Sequence, residues 1–379
     1  MRSNTIQFLS NAGLVASAVF IPILAQEKGA SDYEIGIIGT AYGIAIFISS
    51  YVFGRASDIY GRRIFLYAGL LLTGVTIPMH MIASTPLTLA MVRWVVGFCA
   101  GIFPATLVAH VYETTKKVAK FTAYGSLGWA VGYFIAGIIA SYLEIFILSS
   151  VLLFASFFVA LRMDVPRSNS SAKGIFTFDV GGFKKNIPVY LPFLIRHTGA
   201  NAVWMIFPLY ILSLGADKTI LSIDFYGNNF SLGGKFWIGL ISMINMFGQF
   251  FIMRSLDKYK TISLISTGLI LSIITFTSFA LVTDFRQLVP LQILLAAAWS
   301  CLYVGCVQFS MEGAEGMATS AGTLNSVASL SAVIGPFMGG LISEIYDYRA
   351  TMYFAVIMSI AAYVVFRVFI RHVKKQETS

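Results

Sequence analysis

Two arginines stand where arginine is costly. Arg93 lies seven residues past Pro86 and Arg196 eight past Pro188, each well inside a long apolar run. At about 1.5 Å per helical residue, their guanidinium groups sit about 10 Å and about 12 Å from the ends of those runs. That is too deep to reach interfacial water along the side chain, so both are expected to face a water-filled cavity. Such a cavity, with few carboxylates nearby, would be positive and would favour an anion or a solute rich in hydrogen-bonding groups. His197, beside Arg196, is the one deep group that titrates near neutral pH and is therefore the candidate carrier of a coupling proton.

Neutral polar side chains recur at helical spacing in the same runs. Gln7 and Asn11 share a face of the first run, and His197, Asn201 and Trp204 share one of the seventh. Asn245 and Gln249 do so in the eighth, and Asn325 with Ser329 in the eleventh. Each could bind substrate or hydrogen-bond between helices. Trp299 and Tyr303 could stack on a ring or simply pack. The three cysteines, Cys99, Cys301 and Cys306, are all inside apolar runs, and no CxxC or His/Cys cluster occurs. No metal site and no cofactor are expected. There is no nucleophile–base constellation, so an enzyme is not expected, and no GxxxxGK[ST] phosphate loop, so transport energy would come from gradients.

The elements that hold these residues follow from composition. Of 379 residues 57% are hydrophobic and 11% charged, against roughly 25% charged in soluble proteins. A water-soluble fold could not cover that much apolar surface. A membrane span needs about 20 apolar residues. Runs of this kind occur twelve times, near 4–26, 34–53, 64–84, 87–110, 119–142, 144–162, 188–214, 235–253, 261–282, 286–310, 319–343 and 349–370. The chain is expected to be an all-α integral membrane protein of the cell (plasma or inner) membrane. The net charge of +9 does not point to nucleic acid, because the basic residues fall in short gaps and not along a stripe. With both termini cytoplasmic, 19 of the 26 lysines and arginines fall on the inner face and five on the outer, as the positive-inside rule requires.

The two halves echo each other. "FIPILAQEKGAS" (20–31) and "IFPLYILSLGAD" (206–217) align Pro22 with Pro208 and Gly29-Ala30 with Gly215-Ala216. The reading is an N-terminal six-helix bundle over 1–162, a Ser-, Gly- and Lys-containing cytoplasmic linker over 163–187, and a C-terminal six-helix bundle over 188–379. Parallel repeats of this type place a binding site at the midplane between them. The segment 216–235 reads as an outer loop partly covering the mouth.

Between runs two and three stands "GRASDIYGRR" (54–63). Gly54 and Gly61 permit a tight reversal, and Asp58 can pair with a basic neighbour or cap a helix. The pattern Gly54-x-x-x-Asp58-x-x-Gly61-Arg62-Arg63 resembles the loop between helices two and three of major facilitator superfamily (MFS) transporters. "RWVVGFCAGIFPA" (93–105) resembles that family's helix-four motif, carried by Arg93, Gly97 and Gly101, with Cys99 where glycine is common. "GSLGWAVGYFIAG" (125–137) resembles its glycine-rich fifth helix, with Tyr133 in place of the proline of the drug/proton antiporter branch. "GPFMGGLISEIYDYR" (335–349) resembles the eleventh. The resemblance implies the MFS fold, two pseudo-symmetric six-helix bundles rocking about a central site. It further implies that Gly54, Asp58, Gly61, Arg62 and Arg63 gate the inner face without touching substrate. The expected function is secondary transport of a small, polar or anionic organic solute, efflux included, by a monomer in the lipid bilayer. A lipid or amphiphile translocase on the same fold and a non-transporting sensor are the alternatives.

Overall fold

The computed structural model describes the backbone of the chain except residues 116–117, 164–179, 226–227, 257, 312–316 and 378–379. Among the described residues, twelve helical segments are long and apolar enough to cross a membrane. They are α1 (Arg2–Glu27), α2 (Asp32–Ser57), α3 (Arg62–Met81), α4 (Pro86–Val111), α5 (Lys120–Ile139) and α6 (Tyr142–Leu161) in the first half. The second half holds α7 (Lys184–Ala216), α8 (Gly234–Ser255), α9 (Thr261–Leu281), α10 (Phe285–Ser310), α11 (Thr323–Ile345) and α12 (Tyr348–Arg371). An even number of crossings brings both termini to one face, called here the termini face; the other is the far face.

Local sequence sets the helix ends. Ser31 opens α2 with a reciprocal cap: its hydroxyl accepts from the Glu34 amide at 3.3 Å, and the Glu34 carboxylate accepts from the Ser31 amide at 3.0 Å. Inside α1 the helix breaks after Ala18 and restarts at Ile21, with Pro22 in the new first turn. In α4 it breaks at Ile102-Phe103 and restarts at Pro104. Proline lacks the amide that a continuous helix needs at these points. Many of the serines and threonines buried in the bundle return their hydroxyls to carbonyls one turn back, as Thr73 does to Gly69 at 2.6 Å, which satisfies them without water.

The internal repeat is visible in both packing and backbone. Within the first half α1 packs on α5 and α6, α2 on α4, and α3 on α6; within the second, α7 packs on α11 and α12, α8 on α10, and α9 on α12. Each contact has its counterpart six helices later. Gly29 (φ +83°) and Gly215 (φ +97°) both adopt the left-handed conformation, ending the first helix of each half at equivalent positions with the residue that enters that region freely. The linker expected over 163–187 lies outside the described residues from 164 to 179, and helix resumes at Val180.

One element departs from an all-helical reading. Strands β1 (Leu221–Phe225) and β2 (Asn228–Leu232) pair antiparallel on the far face, Leu221 opposite Leu232 and Phe225 opposite Asn228. Within the segment 216–235, expected as an outer loop partly covering the mouth, Leu221–Phe225 and Asn228–Leu232 are paired strands.

The halves meet through equivalent pairs, α2 with α11 and α5 with α8. Here backbones touch. A Cβ on Gly36 would stand 2.7 Å from the Pro336 carbonyl oxygen and 2.9 Å from Gly340 Cα, and one on Gly137 would stand 3.1 Å from Gly239 Cα.

Candidate functional site

Arg93 is carried on α4 by the run that begins at the Thr85 cap. Gly97 and Gly101, one and two turns on, let α4 approach α2: a Cβ on Gly97 would lie 2.8 Å from the Tyr42 carbonyl oxygen, and one on Gly101 2.9 Å from that of Ile46. This small-xxx-small contact brings Tyr42 of α2 beneath the arginine. The guanidinium carbon lies 3.6 Å from the centroid of the Tyr42 ring, a cation–π contact in a largely dehydrated setting. Arg93 is 6% exposed, its Nε has no hydrogen-bond partner, and among the described residues it forms no ion pair.

Arg93 and Tyr42 line a cavity of about 360 Å³ at the seam between the halves. The first half supplies Tyr133 of α5 and, from α1, Pro22; the second supplies Asn201 and Trp204 of α7, Ser242 of α8 and Ser329 of α11. Asn201 is held by a hydrogen bond from its Nδ2 to Ser331 Oγ at 2.9 Å. Trp204 stands edge-on to Phe207 with centroids 5.3 Å apart. A mostly apolar chamber with one cation that forms no ion pair among the described residues, and a few fixed polar groups, is the usual make-up of a small-molecule site.

Toward the far face the cavity is closed by cross-half contacts. Thr40 Oγ1 donates to the Val333 carbonyl at 3.1 Å, the Tyr33 amide to Glu344 at 3.2 Å, and Tyr348 OH to Asp32 at 3.3 Å. Lys235 of α8 lies 4.0 Å from Glu27 and 3.6 Å from the centroid of Tyr142.

Of the polar residues singled out from sequence as substrate contacts, Arg93, Asn201, Trp204 and Ser329 come together around the cavity; the others stand elsewhere. Arg196 requires a correction: it does not line the cavity but is 1% exposed inside the second half. Its Nε donates to Ser272 Oγ of α9 at 2.9 Å, and its guanidinium lies 5.4 Å from the Phe276 ring and 5.8 Å from Trp299. The difference is one of direction around the helix: five residues from Asn201 is about 140° of rotation. His197 is half-buried and stacks on Trp299, centroids 4.8 Å apart. Asn245 and Gln249 are buried and bond each other at 2.9 Å. Gln7 and Asn11 pack across α1–α5, their amide nitrogens each 2.8 Å from where a Cβ on Gly125 would be. Asn325 is exposed near the termini end of α11, its carbonyl accepting from Ser329 Oγ.

In the termini-face loop, Gly61 has φ +99° and divides α2 from α3. Gly54 faces Ala105, whose Cβ would be 3.3 Å from an added Cβ. Arg62 is buried, and Arg63 Nε donates to Tyr67 OH at 3.1 Å. The Asp58 side chain lies outside the described residues. Tyr42 and Tyr133 were not singled out as substrate contacts from sequence. The glycine stripe Gly36, Gly39 and Gly43 is the signal that turns α2 toward the seam and places Tyr42 there.

Comparison with known proteins decides the family. The sequence profile of the Major Facilitator Superfamily matches residues 4–321 and again 189–379. The chain belongs to the major facilitator superfamily. This MFS protein is 24% identical over 368 residues to multidrug resistance protein 1 of Bacillus subtilis, covering 92% of the chain and 90% of the relative. It is 26% identical over 373 residues to multidrug resistance protein MdtG of Proteus mirabilis, covering 92% and 89%. Among solved structures it superposes on the nucleoside transporter NupG with a TM-score of 0.75 at 14% identity, covering 97% of this chain and 98% of that one. On the human organic anion transporter MFSD10 the TM-score is 0.73 at 12% identity, covering 96% and 98%. The MFS chain is thus a multi-pass membrane transporter and not an enzyme.

Proposed function

We propose that this MFS protein exports small organic anions across the cell membrane by alternating access, the two halves rocking about the seam cavity. The observation that carries this reading is Arg93: a guanidinium facing a chamber at the seam, sheltered by Tyr42 and paired with no carboxylate among the described residues. Such a group recognises a carboxylate, sulfonate or phosphate through charge-assisted hydrogen bonds. The names of the relatives support a small organic cargo and efflux, and nothing in them favours lipid translocation or sensing. The contacts that join α2 to α11 and α12, and α1 to α8, toward the far face support a state shut on that face. By the positive-inside bias the termini face is cytoplasmic, so this is the state that loads from the cytoplasm. Gradients drive export, with the proton as the coupling ion, and the Gly54–Arg63 loop latches the inner face in the opposite state.

The test is flux in sealed proteoliposomes against matched organic anions, cations and neutral compounds, with and without a pH gradient. Anions are expected to be moved preferentially. Arg93→Gln is expected to cut anion affinity about 10- to 150-fold, the range for losing a charged hydrogen bond of about 1.5–3 kcal/mol, and Arg93→Lys to recover part of it. Preference for cations, or full anion transport by Arg93→Gln, would overturn the proposal.

A further inference from the structure

Below the Arg93 cavity, toward the termini face, the wall of the second half carries a ladder of rings. Trp299 of α10 lies nearly parallel to His197 of α7, with centroids 4.8 Å apart and an interplanar angle of 24°, and to Tyr303 one turn along α10, at 5.2 Å and 22°. All three are half-buried. His197 Nε2 and Tyr303 OH make no hydrogen bond among the described residues, and the buried Nδ1 of His197 is likewise unpartnered. No further ring stacks on Tyr303 among the described residues. Arg196 sits with its charge 5.8 Å from the Trp299 ring, so a cation backs the ladder from within the half.

On its inner side the ladder is packed by the buried Phe193, whose ring centroid lies 5.3 Å from that of His197 and 5.8 Å from that of Trp299. Offset stacking and edge-to-face contact are both ordinary between packed rings, but polar atoms in such a cluster are as a rule paired. Here the three rings are near-parallel, and His197 and Tyr303 pair none of their polar atoms among the described residues. His197 precedes Asn201, a cavity residue, by one helical turn on the same face of α7, about 6 Å along the axis.

We infer that Tyr303, Trp299 and His197 form a ring-stacking subsite which selects, among the organic anions of the proposed function on which this inference rests, those bearing a flat aromatic system. The ring adds to the ladder at Tyr303, and His197 Nε2 and Tyr303 OH bond heteroatoms at its edge.

The experiment uses the full-length protein purified in lipid nanodiscs and three probes: 2-naphthoate, cyclohexanecarboxylate and 2-naphthylmethanol. The first two share a charge and the first and third share a ring. By calorimetry, wild type is expected to bind naphthoate at least about threefold tighter than cyclohexanecarboxylate, as stacking beyond area burial allows. Tyr303→Leu and Trp299→Leu are expected to weaken naphthoate about three- to tenfold and leave cyclohexanecarboxylate within about twofold, with Tyr303→Phe retaining naphthoate binding. Equal affinity of wild type for the two carboxylates, or equal losses for both in the leucine variants, would overturn the subsite. Should those variants not fold, the wild-type ratio decides alone. Binding of naphthylmethanol with neither carboxylate would sustain the ladder and sink the anion reading of the Arg93 cavity.

Discussion

Gly36→Ala isolates the contact between the halves. The new Cβ would lie 2.7 Å from the Pro336 carbonyl oxygen, 2.9 Å from Gly340 Cα and 3.2 Å from Gly340 N. All three are backbone atoms, so no side chain can swing aside; either α2 and α11 separate or the methyl is not accommodated. Overpacking of this kind costs about 1–3 kcal/mol. In a rocking transporter that cost falls on the far-closed state alone, because the pair parts when the far face opens. The equilibrium should therefore move about 5- to 150-fold toward far-open. Nitroxides at Ser84→Cys in the first half and Lys218→Cys in the second, both exposed on the far face, report the change as a longer-distance population by pulsed electron resonance. Gly268→Ala is the control: its Cβ would meet Leu302 Cβ at 2.7 Å and the Ala298 carbonyl at 2.8 Å, both within the second half. It should lower the melting temperature without altering the distances. If Gly36→Ala instead melts earlier with an unchanged distance distribution, α2 and α11 stay together throughout the cycle and the rocking mechanism is wrong.

Other perturbations probe separate parts of the structure. Lys235→Met removes the contact with Tyr142 and should shift the same equilibrium about three- to tenfold, whereas Glu27→Gln, at a partly exposed pair 4.0 Å apart, should shift it by less than about twofold; the reverse order would refute this ranking. Ser272→Ala strands Arg196 Nε and should cost about 1–3 kcal/mol of stability with substrate affinity unchanged; a loss of affinity would return Arg196 to the substrate. Gly61→Ala forces a side chain to φ +99° and should cost about 1–2 kcal/mol, read as a lower melting temperature. Asp58→Asn should slow turnover several-fold with substrate affinity intact, and normal flux with lost binding would contradict its gating role.

The fold was almost fully legible because bilayer spans impose one dominant pattern, long apolar helices separated by charged gaps, and the expected boundaries lie within a few residues of the observed ones over most of the chain. The repeat was legible in Pro22/Pro208 and Gly29/Gly215, residues whose backbone roles leave few substitutes. The hairpin of β1 and β2 was missed although "LSIDF" and "NNFSL" alternate around Tyr226-Gly227, since apolar run length was the signal being read. The site was half legible. Chemistry singled out Arg93 and Arg196 equally, but only azimuth separates a cavity residue from a core one. Azimuth depends on which helix packs where, which no single span encodes. Asn245 and Gln249 show the same limit: four residues apart on one face, they satisfy each other.

The Tyr42 ring beneath Arg93 bears on the journey the carrier makes without cargo. A bare guanidinium in a chamber closing off from solvent would oppose closure, and an exporter with such a group would stall whenever it was empty. With an aromatic face already against the ion, much of its hydration has been exchanged before any passenger arrives. Under the proposed function the vacant molecule could therefore reset, and a departing anion would leave behind a charge that is still accommodated.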